Sequence, residues 1–289
     1  MTELICSYYT LAGVSPLAGG SSPLPFEDRA RACAEAGYAG IGLHVRDYRA
    51  LRAGGASDAD LVAMLRHWGL RHVEVEFLLN WFADGEAGEQ ALRDEALLYH
   101  MAETFGARVL YLGGDMTPGN PMPFEALVER FAAVGARAAE RGVRLGVEPC
   151  AWSNIGTLDE GLRLVEGAGA RNAGVVLDVW HLHRRGLDFE RLKRLDPARI
   201  AGVQLGDAGA QVHGSLAEDS LDHRLLPGEG VAGATAFVAA LNAFGYAGPM
   251  SVEVLSQAQR ERSLAEAARR SFEAARSVLD SASSCGVAG

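Results

Sequence analysis

The last four β-rich segments of the chain each carry one oxygen-bearing side chain at or near their carboxyl end. These side chains are Glu148, Asp178, Gln204 and Glu253. Three carboxylates that share a water-poor pocket repel one another and lose hydration, so a cation is needed to offset both costs. Carboxylate and amide oxygens suit hard divalent ions. The set therefore predicts a Mn2+ or Mg2+ site, with Co2+ and Zn2+ as alternatives.

Short β-rich runs alternate with longer runs rich in Ala, Leu, Arg and Glu. The predicted strands are 4–10, 39–45, 71–78, 108–114, 143–149, 173–180, 200–207 and 249–256. Two of the intervening helices begin with capping-box spacings, Ser57 with Asp60 and Thr157 with Glu160.

Eight β-α units without a hairpin signal predict an α/β fold with a parallel sheet, of the size of a closed, single-domain (β/α)8 TIM barrel. A doubly wound open sheet is the alternative, but no G-x-G-x-x-G motif follows the first strand. We expect one domain over 1–280 and a flexible tail over 281–289. In a barrel the carboxyl ends of the strands meet at one rim, which would bring the four oxygen-bearing side chains together.

Composition limits the partners. The 289 residues carry 27 basic and 37 acidic side chains, a net charge of -10, which disfavours binding to nucleic-acid backbones and favours a small polar substrate. Four cysteines without a C-x-x-C pair indicate neither a disulfide framework nor a thiolate zinc site, and no apolar run has the length of a membrane span. We therefore expect a cytoplasmic protein that does not bind membranes. The oligomeric state is left open, a homo-oligomer included.

The ordered motifs "GVEP", "LDVWHLHRRG", "VQLGD", "HRLLPGEG" and "SVEV" resemble the successive signatures of the xylose isomerase-like barrel superfamily. The resemblance extends from "AEAGYAGIGLH" to the Glu of the eighth strand. That superfamily contains sugar isomerases and epimerases, hydroxypyruvate isomerase, inosose and dehydroshikimate dehydratases, and endonuclease IV. Many of its sugar epimerases have His where this chain has Gln204. With Gln at this position, the chain instead resembles hydroxypyruvate isomerase and bacterial dehydroshikimate dehydratase.

The resemblance also implies roles for individual side chains. The metal ligands would be Glu148, Asp178, Gln204 and Glu253, with Glu148 and Glu253 acting in addition as the acid/base pair. The side chains expected to contact the substrate are His181, Arg224, Glu76, His44 and Arg184. The polar insertion at 208–226 is a candidate lid.

The main hypothesis is a divalent-metal-dependent isomerase or epimerase of a small keto-sugar or related hydroxy-carbonyl compound, acting by proton transfer through an enediolate. The alternative is a metal-dependent dehydratase of the 3-dehydroshikimate or inosose type. A phosphodiesterase like endonuclease IV is more distant, because the chain lacks the additional histidines and the basic surface. A non-catalytic barrel is a further class.

Overall fold

The computed structural model describes residues 2–116 and 122–285. Eight parallel strands form a closed barrel in which each strand pairs with the next along the chain and the last pairs with the first. The strands are β1 (Leu4–Cys6), β2 (Gly40–His44), β3 (His72–Leu78), β4 (Leu110–Gly113), β5 (Leu145–Glu148), β6 (Ala173–Asp178), β7 (Ile200–Leu205) and β8 (Met250–Val252). The prediction of a single-domain (β/α)8 barrel is confirmed.

Helices surround the barrel. They are α1 (Tyr8–Leu11), α2 (Phe26–Ala36), α3 (Val45–Ala53), α4 (Asp58–His67), α5 (Gly85–Phe105), α6 (Phe124–Glu140), α7 (Leu158–Gly167), α8 (Val179–Arg184), α9 (Leu216–Asp222), α10 (Ala234–Phe244), α11 (Gln257–Arg260) and α12 (Leu264–Cys285). Two short 3-10 helices, Phe189–Arg194 and Pro197–Arg199, precede β7. Across the described parts of the chain, no helix is both long and apolar enough to cross a membrane.

The strands are buried on both faces, which explains their nearly continuous apolar sequence. Every residue of β6, for example, is buried. Both predicted capping boxes are present: the Ser57 side chain accepts the Asp60 N–H at the start of α4, and the Thr157 side chain accepts the Glu160 N–H at the start of α7. These caps satisfy amides that would otherwise lack partners in the first helical turn.

The first predicted strand, 4–10, is too long. The chain leaves β1 after Cys6 and forms the short helix α1, because the Thr10 hydroxyl donates to the Val252 carbonyl at 2.8 Å and accepts the Val254 N–H at 2.9 Å. These bonds hold α1 against the end of β8, from which it is far removed in sequence.

Other predicted boundaries also differ from the structure; the strand predicted over 249–256, for example, is only Met250–Val252. The strand predicted over 173–180 ends at Asp178, because its Oδ1 accepts the His181 N–H at 3.0 Å and caps α8. The predicted tail is helical at its beginning: α12 continues to Cys285, and the side chain of Ala282 is buried against the core. The rest of that tail, 286–289, lies outside the described residues.

Close backbone approach makes some barrel glycines irreplaceable, and Gly174 in β6 provides a test. A Cβ added there would lie 2.5 Å from the Arg199 carbonyl oxygen, whereas a Cβ at the loop residue Gly209 would lie 3.6 Å from the Gln211 carbonyl oxygen. We expect Gly174→Ala to lower the free energy of unfolding by about 1–3 kcal/mol, and Gly209→Ala to change it little. Thermal unfolding of both variants measures this; equal midpoints would contradict the close approach of β6 to the segment before β7.

Candidate active site

The predicted oxygen ligands meet at one end of the barrel. Glu148 and Asp178 are the last residues of β5 and β6, Gln204 pairs in register with Asp178, and Glu253 follows β8 directly. All four side chains are buried. One carboxylate oxygen from each of the three acids lies within 4.8 Å of the others. A rule that places active sites at the carboxyl ends of barrel strands thus locates a real cluster of acidic groups.

The side-chain amide of Gln204 completes this cluster. Its Nε2 donates to Oε1 of Glu253 at 3.1 Å, which leaves the amide oxygen as the remaining polar atom. This amide oxygen, Oε1 of Gln204, is buried and has no hydrogen-bond partner among the described residues. A buried acceptor without a partner costs about 1–3 kcal/mol, and a cation would satisfy it. Three carboxylates and one amide oxygen therefore fit a hard divalent ion.

Arg224 places a buried guanidinium against two of the acids. Its Nη1 donates to Oδ2 of Asp178 at 2.7 Å and to Oε2 of Glu253 at 3.0 Å. Burial raises the pKa of Asp178, but Arg224 and His181 together outweigh burial through their charge and the hydrogen bonds that both donate, so that pKa lies below its usual value. Asp178 is therefore the acid that remains ionised most readily.

The other two acids are shifted in the opposite direction. Burial, reinforced by the charge of Asp178, raises the pKa of Glu148 to about 8. Burial and the charge of Glu148 raise the pKa of Glu253 well above its usual range, although Arg224 opposes the shift. In enzyme sites, neighbouring carboxyl groups take different acid and base roles because their environments shift their pKa values apart.

His181, on α8, is a hydrogen-bond donor to this space. Its Nδ1 accepts the Ala151 N–H at 3.2 Å, and burial lowers its pKa to about 3, so the ring is neutral with its hydrogen on Nε2. Nε2 lies 3.4 Å from Oε1 of Glu148 and 3.1 Å from Nη2 of Arg224. The Nε2 hydrogen is available to Oε1 of Glu148, and Nη2 of Arg224 also donates to the Ser220 hydroxyl at 2.9 Å.

A second group of potential metal ligands, Glu148, Cys150 and His181, also lies within 4.8 Å. Burial raises the pKa of the Cys150 thiol well above its usual value, and the charge of Glu148 adds to the shift. A thiolate is therefore disfavoured, and the free nitrogen lone pair of His181 is already engaged by a backbone amide. The oxygen-rich group is the better cation site.

Glu76 approaches the acid cluster from β3. The carboxyl oxygen Oε1 accepts the Tyr8 N–H at 3.2 Å and lies 3.3 Å from the Ser7 hydroxyl, which is 3.1 Å from Oε1 of Glu253. Burial and the charge of Glu253 raise the pKa of Glu76 well above its usual range. Ser7 is not among the residues predicted from the sequence, because the first predicted strand, 4–10, extends past it, whereas in the structure Ser7 directly follows β1.

Two predicted substrate contacts are occupied by protein partners. The Nδ1 of His44 accepts the Arg46 N–H at 3.1 Å and caps α3, while burial lowers the pKa of this imidazole to about 3. Arg184 pairs with Asp219 at 2.7 Å and donates to the Gly209 carbonyl at 3.0 Å. Arg184 thus ties the 208–226 insertion to α8. A lid function of that insertion stays a prediction.

The structure is a closed parallel barrel with a buried acidic cluster, and with Arg and His beside it, at the carboxyl ends of its strands. Residues 30–277 match the family model described as "Xylose isomerase-like TIM barrel". The chain belongs to this family, and the resemblance found in its motifs is confirmed.

Among curated proteins, the chain is 33% identical to a 3-dehydroshikimate dehydratase from Pseudomonas aeruginosa over 135 residues, which is 46% of this chain and 21% of that protein. It is 29% identical to an inosose isomerase from Bacillus subtilis over 100 residues, which is 35% of each protein. The matched segments therefore span well under half of either relative.

Among solved structures, the IolI protein with a bound zinc atom superimposes with a TM-score of 0.81 at 18% identity, covering 97% of this chain and 98% of that one. An L-ribulose 3-epimerase superimposes with a TM-score of 0.77 at 17% identity, covering 100% of this chain and 99% of that one. At these identities the similarity establishes the fold alone.

The orientation of the Gln204 amide generates a binding prediction. We expect Gln204→Leu to weaken Mn2+ binding by about tenfold or more, because it removes the one neutral oxygen ligand. Gln259→Leu, at a buried glutamine that donates to the Ala267 carbonyl instead, is the matched control and should retain affinity. Calorimetric titration measures both; equal affinities would exclude Gln204 as a ligand.

The raised pKa of Glu148 generates a pH prediction for the protein in chelator. A raised pKa means that the folded state holds the proton more tightly, so this contribution is complete below the ordinary value of 4.5 and is lost as the pH rises through about 8. We expect the melting temperature to fall over that window, and Glu148→Gln to flatten the dependence. Thermal scans from pH 5 to 9 test this, and parallel profiles for the two proteins would contradict it.

Proposed function

We propose that this protein is a divalent-metal-dependent isomerase or epimerase of a small keto-sugar or related hydroxy-carbonyl compound. The observation that carries the proposal is the buried cluster of Glu148, Asp178 and Glu253 beside the Gln204 amide oxygen, to which no residue of the described ranges donates. Inosose isomerases among the relatives and an L-ribulose 3-epimerase among the structural neighbours support it.

A bound divalent ion would polarise a substrate carbonyl and its neighbouring hydroxyl, and so acidify the C–H bond between them. Glu148 ends β5 and Glu253 follows β8, three strands further around the barrel, and in this proposal each removes or returns a proton. Their raised pKa values suit groups that alternate between acid and base near neutral pH.

The donors of His181 and Arg224 would act on the substrate oxygen that becomes negative when the proton leaves. Fixed donors in a buried site stabilise such charge without reorganising during the reaction. Arg224 is held in place by Asp178 and by Ser220, whose carbonyl accepts its Nε at 3.0 Å. These contacts fix the direction in which its Nη2 points.

A metal-dependent dehydratase of the 3-dehydroshikimate or inosose type is the second candidate. The local similarity to 3-dehydroshikimate dehydratases supports it. Both reactions begin with removal of a proton next to a carbonyl. They diverge afterwards, because the carbanion is either reprotonated or expels a hydroxyl from the next carbon, for which a protonated carboxyl group is needed.

Turnover of a panel of ketoses, inososes and 3-dehydroshikimate tests the proposal. We expect Glu148→Gln and Glu253→Gln each to lower kcat by about 1,000-fold or more, because each removes a proton-transfer group. Glu229→Gln, at an exposed loop position, is the matched control and should retain full activity. Activity should disappear in chelator and return with Mn2+.

The product separates the two candidates. An isomerase or epimerase run in deuterated water incorporates deuterium at the carbon that is reprotonated, whereas a dehydratase forms a conjugated product with new ultraviolet absorbance. Near-normal turnover by both glutamine variants would remove the acid/base assignment. Full activity in chelator would remove the metal dependence.

A further inference from the structure

Two serine–glutamate pairs lie inside the barrel, both built on β3. Near the floor, Oε1 of Glu74 accepts hydrogen bonds from the Ser251 hydroxyl and, at 2.7 Å, from the Tyr111 hydroxyl. Nearer the mouth, Oε1 of Glu76 contacts the Ser7 hydroxyl. The two glutamates are two residues apart on one strand, so their side chains lie on the same face. Only the upper pair reaches the acid cluster.

The pair nearer the mouth, Ser7 and Glu76, fits because the neighbouring β2 residue is a glycine. A Cβ added at Gly42, on β2, would lie 2.5 Å from Oε1 of Glu76 and 2.4 Å from the Tyr8 nitrogen. The absence of a side chain at Gly42 therefore lets the Glu76 carboxyl group reach both Tyr8 and Ser7. Three neighbouring strands contribute to this arrangement, through the residue after β1, a glycine in β2 and a glutamate in β3.

The Ser7 hydroxyl holds the oxygen of Glu253 that faces away from Arg224. Oε2 of Glu253 accepts from Arg224, whereas Oε1 contacts Ser7 at 3.1 Å and Gln204 Nε2 at 3.1 Å. Without Ser7, Oε1 would retain only the Gln204 contact, and the plane of the carboxylate would be less constrained. Because a hydroxyl both donates and accepts, one serine can bridge the two carboxyl groups of Glu76 and Glu253.

We propose that Ser7 and Glu76 are positioning residues that fix the orientation of the Glu253 carboxylate, with Glu76 acting through the Ser7 hydroxyl. This inference rests on the proposed function, in which Glu253 transfers a proton. Glu76 is therefore assigned to the support of the base instead of to the substrate. Loss of the bridge lowers the fraction of molecules in which Oε1 is aligned for proton transfer.

Steady-state kinetics of Ser7→Ala tests the bridge. We expect kcat to fall about 10- to 100-fold, while KM changes less than about twofold, because the substrate donors His181 and Arg224 stay in place. Ser7→Thr keeps a hydroxyl and should recover most of the loss. Ser251→Ala removes the equivalent hydroxyl from the floor pair and is the matched control, with kcat unchanged.

Variants of Glu76 provide a second kinetic test of the bridge. Glu76→Gln keeps an oxygen that accepts from Tyr8 and adds an amide N–H that can donate to the Ser7 oxygen, so it should retain most of kcat, whereas Glu76→Leu should lower kcat as far as Ser7→Ala does. The double variant Ser7→Ala/Glu76→Leu should be no slower than either single variant, since both changes break one chain of contacts. Additive losses would overturn the proposal that Glu76 acts through Ser7.

A crystal structure of Ser7→Ala tests the inference without any substrate. We expect the plane of the Glu253 carboxylate to change its orientation in Ser7→Ala, and to keep its orientation in Ser251→Ala. An unmoved Glu253, or an unchanged kcat in Ser7→Ala, would overturn the positioning role. Absence of metal-dependent turnover in the unmodified protein would instead count against the proposed function, so the two failures are distinguishable.

Discussion

The concentration of buried acid at the barrel mouth is the constraint on which the rest of the site depends. Three carboxyl groups lie within 4.8 Å of one another, and Arg224 brings one positive charge to them. One guanidinium cannot balance three ionised carboxylates in a medium of low dielectric. The mouth must therefore hold protons or bind a further cation. Burial and the mutual repulsion of the acids raise the pKa values of Glu148 and Glu253, and no described residue donates to the amide oxygen of Gln204.

The insertion between β7 and α10 belongs to the acid cluster through its contacts. Arg184 pairs with Asp219 on α9, and the next residue, Ser220, accepts hydrogen bonds from Arg224 at 3.0 Å through its carbonyl and at 2.9 Å through its hydroxyl. The guanidinium that contacts Asp178 is thus placed by the same short helix that Arg184 anchors. A change in the insertion would alter the position of a charge inside the site, and not only access to it.

The sequence was most informative where one local signal settles the structure. Alternating β and α patterns predicted all eight strands, and the strand-end rule predicted the acid cluster, because both depend on residues close together in the chain. Features that depend on distant partners were missed. The turn of the chain into α1 is set by Thr10 and the end of β8, and Ser7 matters through Glu76 and Glu253, all far away in sequence. Arg184 was predicted to contact substrate, but its ion pair with Asp219 is formed only in the folded chain.

The two glutamates of β3 illustrate why residue type alone does not assign a role. Both are buried, and burial raises the pKa of both. Glu74 accepts from the hydroxyls of Ser251 and Tyr111 on the barrel floor, and neither hydroxyl contacts the acid cluster. Glu76 differs because its neighbour Ser7 also contacts Glu253, so any change in Glu76 is transmitted to a group in the acid cluster. Proximity through a shared hydroxyl, and not burial or pKa, is what connects a carboxyl group to the chemistry.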